Sequence, residues 1–152
     1  MEAKRQTEEN MTKKLKYIVM MVAVAILAAG QARAGGVKVI ANVGVPANSI
    51  SVAELKSVYL EETNSLVDGT HVQPVLEKGG PAHEIFLKEY LDRTDPALQI
   101  YYRTLIFTGK GLMPKAVLSD AEMVAFVAKT KGAIGYVSSA TPAEGVKVLE
   151  VK

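Results

Sequence analysis

An α/β layer fold is what the sequence predicts. Three observations predict it: short apolar runs rich in valine and isoleucine, stretches of helical period between them, and a start signal ahead of each such stretch. From Val37 to Val45 the chain is near-continuous in Val, Ile and Ala, the pattern of a strand covered on both faces, and Pro46-Ala47-Asn48 breaks it. Ser51-Val52-Ala53-Glu54 reads as a capping box, in which serine and glutamate side chains each satisfy the other's backbone amide. Val52, Leu55, Val58 and Tyr59 then fall on one helical face.

The Asp68-Gly69 turn leads into a second strand, His71 to Glu77. Lys78-Gly79-Gly80-Pro81 follows, with Pro81 placed as the first residue of a helix whose face is His83, Phe86, Leu87, Tyr90 and Leu91. Asp95-Pro96 starts a third helix with the inward stripe Leu98, Tyr102, Leu105 and Ile106, which Thr108-Gly109-Lys110-Gly111 ends. Ser119-Asp120-Ala121-Glu122 reads as a second capping box, and Met123, Val124, Phe126 and Val127 give the fourth helix its apolar side. Gly132 is expected as the left-handed residue that ends it. Ile134 to Val137 is a strand in which Gly135 allows close approach of backbone or a ligand, and Val146 to Val151 is the last strand, after the loop Ser138 to Gly145.

The first thirty-four residues read as something other than this domain. Lys13, Lys14 and Lys16 precede an apolar run of 14 residues, Tyr17 to Gly30, and then Ala32-Arg33-Ala34, which is the form of a secretory signal peptide. The run is short against the roughly 20 residues of a membrane span, so an uncleaved anchor helix is the lesser reading. Met1 to Asn10 is a polar extension ahead of it, with Met11 the expected true start and cleavage expected after Ala34. The domain is then 35–152, exported to the periplasm or secreted. Removing six of the 18 Lys and Arg and three of the 16 acids leaves 12 against 13, so the overall charge of +2 belongs to the leader and does not support nucleic-acid binding.

Cysteine is absent, which excludes disulfides and thiolate metal sites and leaves an apolar core to hold the domain. His71 and His83 are the two histidines, and no carboxylate cluster accompanies them, so neither a metal nor a cofactor is expected. No serine stands in a nucleophile elbow and no His-acid-nucleophile set is evident; the expectation is a protein that is not an enzyme.

Five segments carry a resemblance: Ser51-Val52-Ala53-Glu54-Leu55 before Val58-Tyr59-Leu60, the Asp68-Gly69 turn, Phe86-Leu87, Tyr102 to Gly111, and Gly132-Ala133-Ile134-Gly135-Tyr136-Val137. Together, in this order and over nearly all of 39–151, they resemble the type II periplasmic-binding-protein-like domain of phosphate ABC transporter substrate-binding proteins. The resemblance implies a single lobe with a mixed sheet flanked by about four helices, and a binding protein for a small anion such as phosphate. Full-length members hold their ligand between two lobes, whereas this chain has room for one, so a second lobe, a partner protein or a homodimer is implied. In the phosphate-binding relatives an arginine and a Ser-Gly-Thr segment open the helix after the second strand. The matching stretch here, Glu77 to His83, keeps the glycines and the helix start, lacks the hydroxyls and the arginine, and adds the charge of Glu77.

The candidate ligand-binding residues follow. Lys78, Gly79, Gly80, Ala82 and His83 surround the helix start, where unpaired N–H groups and the helix dipole favour an anion. Ser138 and Ser139 follow a strand end, where open α/β sheets present loops to ligands. Gly79-Gly80-Pro81 reads first as an ordinary strand-to-helix turn, and His83 reads first as a core or half-buried histidine, with ligand binding the second reading of each. The alternative function is an interaction or assembly protein that kept the fold and lost the ligand.

Overall fold

The computed structural model describes residues 36–152; the expected leader, with its expected start at Met11 and cleavage after Ala34, lies outside the described residues. The elements run β1 (Val37–Asn42), β2 (Ser49–Ile50), α1 (Val52–Tyr59), β3 (Gln73–Glu77), α2 (Pro81–Phe86, continued by a π-helical turn Leu87–Leu91), α3 (Asp95–Phe107), β4 (Lys115–Val117), α4 (Asp120–Lys129), β5 (Ala133–Ser138) and β6 (Val146–Val151). The six strands form one mixed sheet in the order β2-β6-β1-β5-β3-β4. β3 is parallel to β4 and β5, β2 is parallel to β6, and β1 runs antiparallel to both its neighbours. One edge of the sheet therefore collects the last residues of β3, β4 and β5 and the first of β1, with Val37 opposite Ser138.

Strand β5 shows why the layers form. Its residues from Ala133 to Val137 are all buried, and alternate side chains face opposite ways. Tyr136 points to the face of α1 and α2, where its ring stacks on Phe86 at 3.8 Å and Tyr59 meets Phe86 edge-on at 4.8 Å. Pairs of this kind contribute about 0.5–1.5 kcal/mol each beyond the area they bury. Gly135 points to the other face, where an added Cβ would stand 2.4 Å from Met123 Sδ and 3.1 Å from Val127 Cγ2 of α4. The close approach expected at Gly135 is thus made by helix side chains. On the aromatic face the Tyr59 hydroxyl is shared between the carbonyls of Val75 (3.1 Å) and Ile134 (3.2 Å), and Tyr102 donates to the Tyr59 carbonyl.

Several expectations change in detail. The first strand stops at Asn42, whose carbonyl accepts from the Val45 amide (2.9 Å) and whose side chain bonds the Val127 carbonyl (2.8 Å). The second begins at Gln73, His71 being drawn into a bridge with Ser65. The Ser51–Glu54 capping box forms in both directions. At α4 it is half made, since Ser119 caps the Glu122 amide while Glu122 turns back to the Leu118 amide (2.8 Å). Helix α4 ends at Lys129 with an extended cap at Thr130. Gly132 is left-handed (φ 79°) two residues beyond that cap, where an added Cβ would stand 2.9 Å from the His71 carbonyl oxygen. Ile106 is half-exposed because the inward stripe of α3 is carried by Leu98 and Tyr102.

Candidate functional site

Two helices start at the strand-end edge, α2 shortly after β3 and α4 shortly after β4. Between them lies a hollow of about 320 Å³ walled by Glu77, Pro81, Ala82, Ile85, Leu118, Asp120 and Ser138, with Gly36 at the entry to β1. Glu77 also borders a second hollow of about 380 Å³, shared with Lys78, Gly79, His83, Asp95 and Met113. A wider one of about 590 Å³ is built from the end of α2 and the start of α3, around Leu87, Lys88 and Asp92 to Pro96.

His83 is 1% exposed and has both ring nitrogens engaged: Nδ1 lies 2.6 Å from the Tyr136 hydroxyl and Nε2 2.9 Å from Asp95 Oδ1. The Tyr136 oxygen in turn accepts the Glu77 amide proton at 2.9 Å. A single arrangement satisfies every member. The His83 Nε2–H donates to Asp95, the Tyr136 O–H donates to Nδ1, and the Glu77 N–H donates to the Tyr136 oxygen. Burial is the main reason the Tyr136 hydroxyl is pushed far above the usual phenol range, which keeps its proton in place for this chain.

The Glu77 side chain has no such chain of partners. The residue is 8% exposed, and its Oε2 is buried with no hydrogen-bond donor among the described residues. Its Oε1 lies against the start of α2, 3.3 Å from where a Cβ on Gly80 would stand; Gly80 has φ 90°. Burial first, then the charge of Asp120 and a hydrogen bond to it, raise the Glu77 carboxyl to about 7. Asp120 is itself tied down, its Oδ2 accepting from the Ser138 amide (3.0 Å) and from the Thr141 hydroxyl.

The sequence-predicted residues are divided by Glu77. Ala82 and Ser138 line the first hollow, while Lys78, Gly79 and His83 line the second. Gly80 caps α2 without a side-chain bond. The Ser139 amide bonds the Gly36 carbonyl (2.9 Å), and the Lys78 amide bonds the Val117 carbonyl (2.8 Å). Sequence reasoning noted the charge of Glu77 and read Asp120 as a helix-start residue; neither was placed in the site. Their signal was position alone, one ending a strand and the other opening a helix.

No protein-family model matches the sequence, and no curated protein matches it. Solved structures do match the fold. An ABC-type phosphate transport receptor from Vibrio cholerae is 13% identical over 76% of this chain and 46% of its own, with a TM-score of 0.52. PstS from Borrelia burgdorferi is 14% identical over 77% of this chain and 47% of its own, with a TM-score of 0.55. A Clostridium perfringens structure with bound phosphate is 14% identical over 76% of this chain and 44% of its own, with a TM-score of 0.57. The chain spans less than half the length of these structures, and its fold is that of a single periplasmic-binding-protein-like lobe.

Proposed function

We propose that the chain is an exported, non-catalytic binding module whose ligand enters the hollow between the starts of α2 and α4. The observation that supports this most is the convergence of three strand ends and two helix starts on one concave, partly apolar space, the usual place for ligands in open α/β sheets. A single lobe leaves such a ligand half-exposed, so binding is weak until a second lobe, a partner protein or a second copy covers it.

Within this reading the small-anion version rests on the first amides of α2 and on Lys78, Gly79, Gly80, Ala82, His83, Ser138 and Ser139. Glu77 and Asp120 stand against a dianion such as phosphate there, because two carboxylates beside a buried anion repel it. Calorimetry with phosphate, sulfate, a simple carboxylate and a simple amine tests the module as a whole. Heat at millimolar ligand from any of them supports it, and none from all four overturns it.

A second reading, assembly, is favoured by exposed apolar side chains on α3 and the loop after it: Ile100, Ile106, Leu112, Met113 and Phe107, the last 94% exposed. Light scattering distinguishes it: a stable oligomer that Phe107→Asp dissociates supports assembly, and a monomer at high concentration overturns it.

A further inference from the structure

We infer that the hollow between the end of β3 and the start of α4 is a cation site, one that takes a primary ammonium group between the carboxylates of Glu77 and Asp120. This rests on the reading of that hollow as the ligand site and assigns the ligand's chemical class.

The floor and the walls differ in kind. At the floor are two carboxylates, Glu77 and Asp120, which line the same hollow, and one oxygen of the pair, Glu77 Oε2, is buried with no donor among the described residues. Among the described residues, the close contacts between basic and acidic side chains are His83–Asp95 and Lys152–Glu150, so neither carboxylate has a cationic partner there. The walls, Pro81, Ala82, Ile85 and Leu118, are apolar. An ammonium on an alkyl stem fits both, since its N–H groups supply the missing donors and its stem lies against the apolar walls. A hydrated divalent ion fits less well: it demands about six oxygen ligands, and among the described residues no group of three or more metal-ligating side chains exists.

The charged and titratable groups around Glu77 come from each packed element. They are Asp120 on α4, Tyr136 on β5, His83 on α2, Asp95 on α3 and Lys78 next along the chain. Asp95 is bonded to His83, and Tyr136 keeps its proton, so the proton on the carboxyl pair is what an ammonium displaces.

Two sources share this chemistry: a free alkylamine, and an amino terminus of the chain itself. Gly36 lines the hollow, and the expected cleavage after Ala34 would leave an α-amino group one residue before it in the sequence.

The test follows the amide resonances of Gly36, Glu77 and Ser138 during titration with n-butylammonium, tetramethylammonium and inorganic phosphate at pH 6 and pH 8. It uses the full chain and a chain begun at Gly35 with its amine free or acetylated, whose buried core lies within 39–149. Expected for the full chain and the acetylated form is saturable binding of butylammonium, about tenfold tighter at pH 8, because a carboxyl titrating near 7 must lose its proton. Glu77→Gln abolishes that pH dependence. If the free α-amino group fills the site, the unacetylated form alone resists butylammonium. Equal response to tetramethylammonium, or shifts with phosphate and none with butylammonium, overturns the cation assignment while leaving a ligand site. Silence from all three ligands overturns the site itself.

Discussion

Glu77 and His83 stand on either side of the Gly79-Gly80-Pro81 turn, both buried and both polar, and they are treated in opposite ways. His83 has both ring nitrogens answered by Asp95 and Tyr136; Glu77 has a buried oxygen with no donor among the described residues and a second carboxylate in the same hollow. The difference separates a polar group paired within the fold from one left unpaired among the described residues. A buried group that is fully paired stabilises a packed core, whereas an unpaired one costs free energy until something supplies the missing bond.

Breaking the paired side produces the largest effect. Tyr136→Phe removes the hydroxyl that donates to His83 Nδ1 and accepts from the Glu77 amide, leaving two buried groups without partners. A loss of about 2–3 kcal/mol of unfolding free energy is expected, measured by urea denaturation, with little dependence on pH. A loss below about 0.5 kcal/mol means that the chain from Asp95 to Glu77 does not hold the two faces of the turn together.

Breaking the unpaired side produces a smaller effect of opposite sign. The folded-state value of the Glu77 carboxyl, about 7, lies above its ordinary 4.5, so the folded protein binds this proton more tightly than the unfolded chain. The contribution is fully present below about 4.5, is lost as pH rises toward 7, and is gone above that. After solvent screening the change is on the order of 2 kcal/mol. Glu77→Gln flattens that slope and raises stability at pH 8 by about 1–2 kcal/mol, because it removes a buried charge and, with it, the like charge beside Asp120. Denaturation curves at pH 5 and pH 8 check both; a variant less stable than the parent at pH 8 defeats the account.

The two halves of this contrast were unequally legible in the sequence. The Ser51–Glu54 box and the apolar periods of α1, α2 and α4 were readable because both ends of each interaction lie within a turn or two of helix. A core histidine at His83 was one of two readings, and its partners Asp95 and Tyr136 come from α3 and β5. β2 and β4, two and three residues long, carry too little pattern to be seen, yet β4 sets where α4 begins and so where Asp120 sits. The meeting of Glu77 with Asp120 depends on β3 lying between β5 and β4, a fact of strand order that no local signal encodes. Gly135 was visible as a close-approach position; that Met123 and Val127 make the approach was not.

The smallest expected effect sharpens the contrast most. Ser138 entered the sequence reading for its place after a strand end, and in the fold its backbone N–H bonds Asp120 Oδ2 at 3.0 Å, while among the described residues its hydroxyl receives a 3.4 Å bond from the Ala140 amide. Ser138→Ala therefore leaves Asp120 held and is expected to change stability by less than about 0.5 kcal/mol, in thermal melts at pH 5 and pH 8 alike. If the site binds through the carboxyl pair, the variant also keeps its affinity for n-butylammonium. If the loop hydroxyls are the donors that an anion needs, it loses phosphate binding instead. One conservative change thus assigns the recognition to the strand-end carboxylates or to the serine side chains, with the fold held constant.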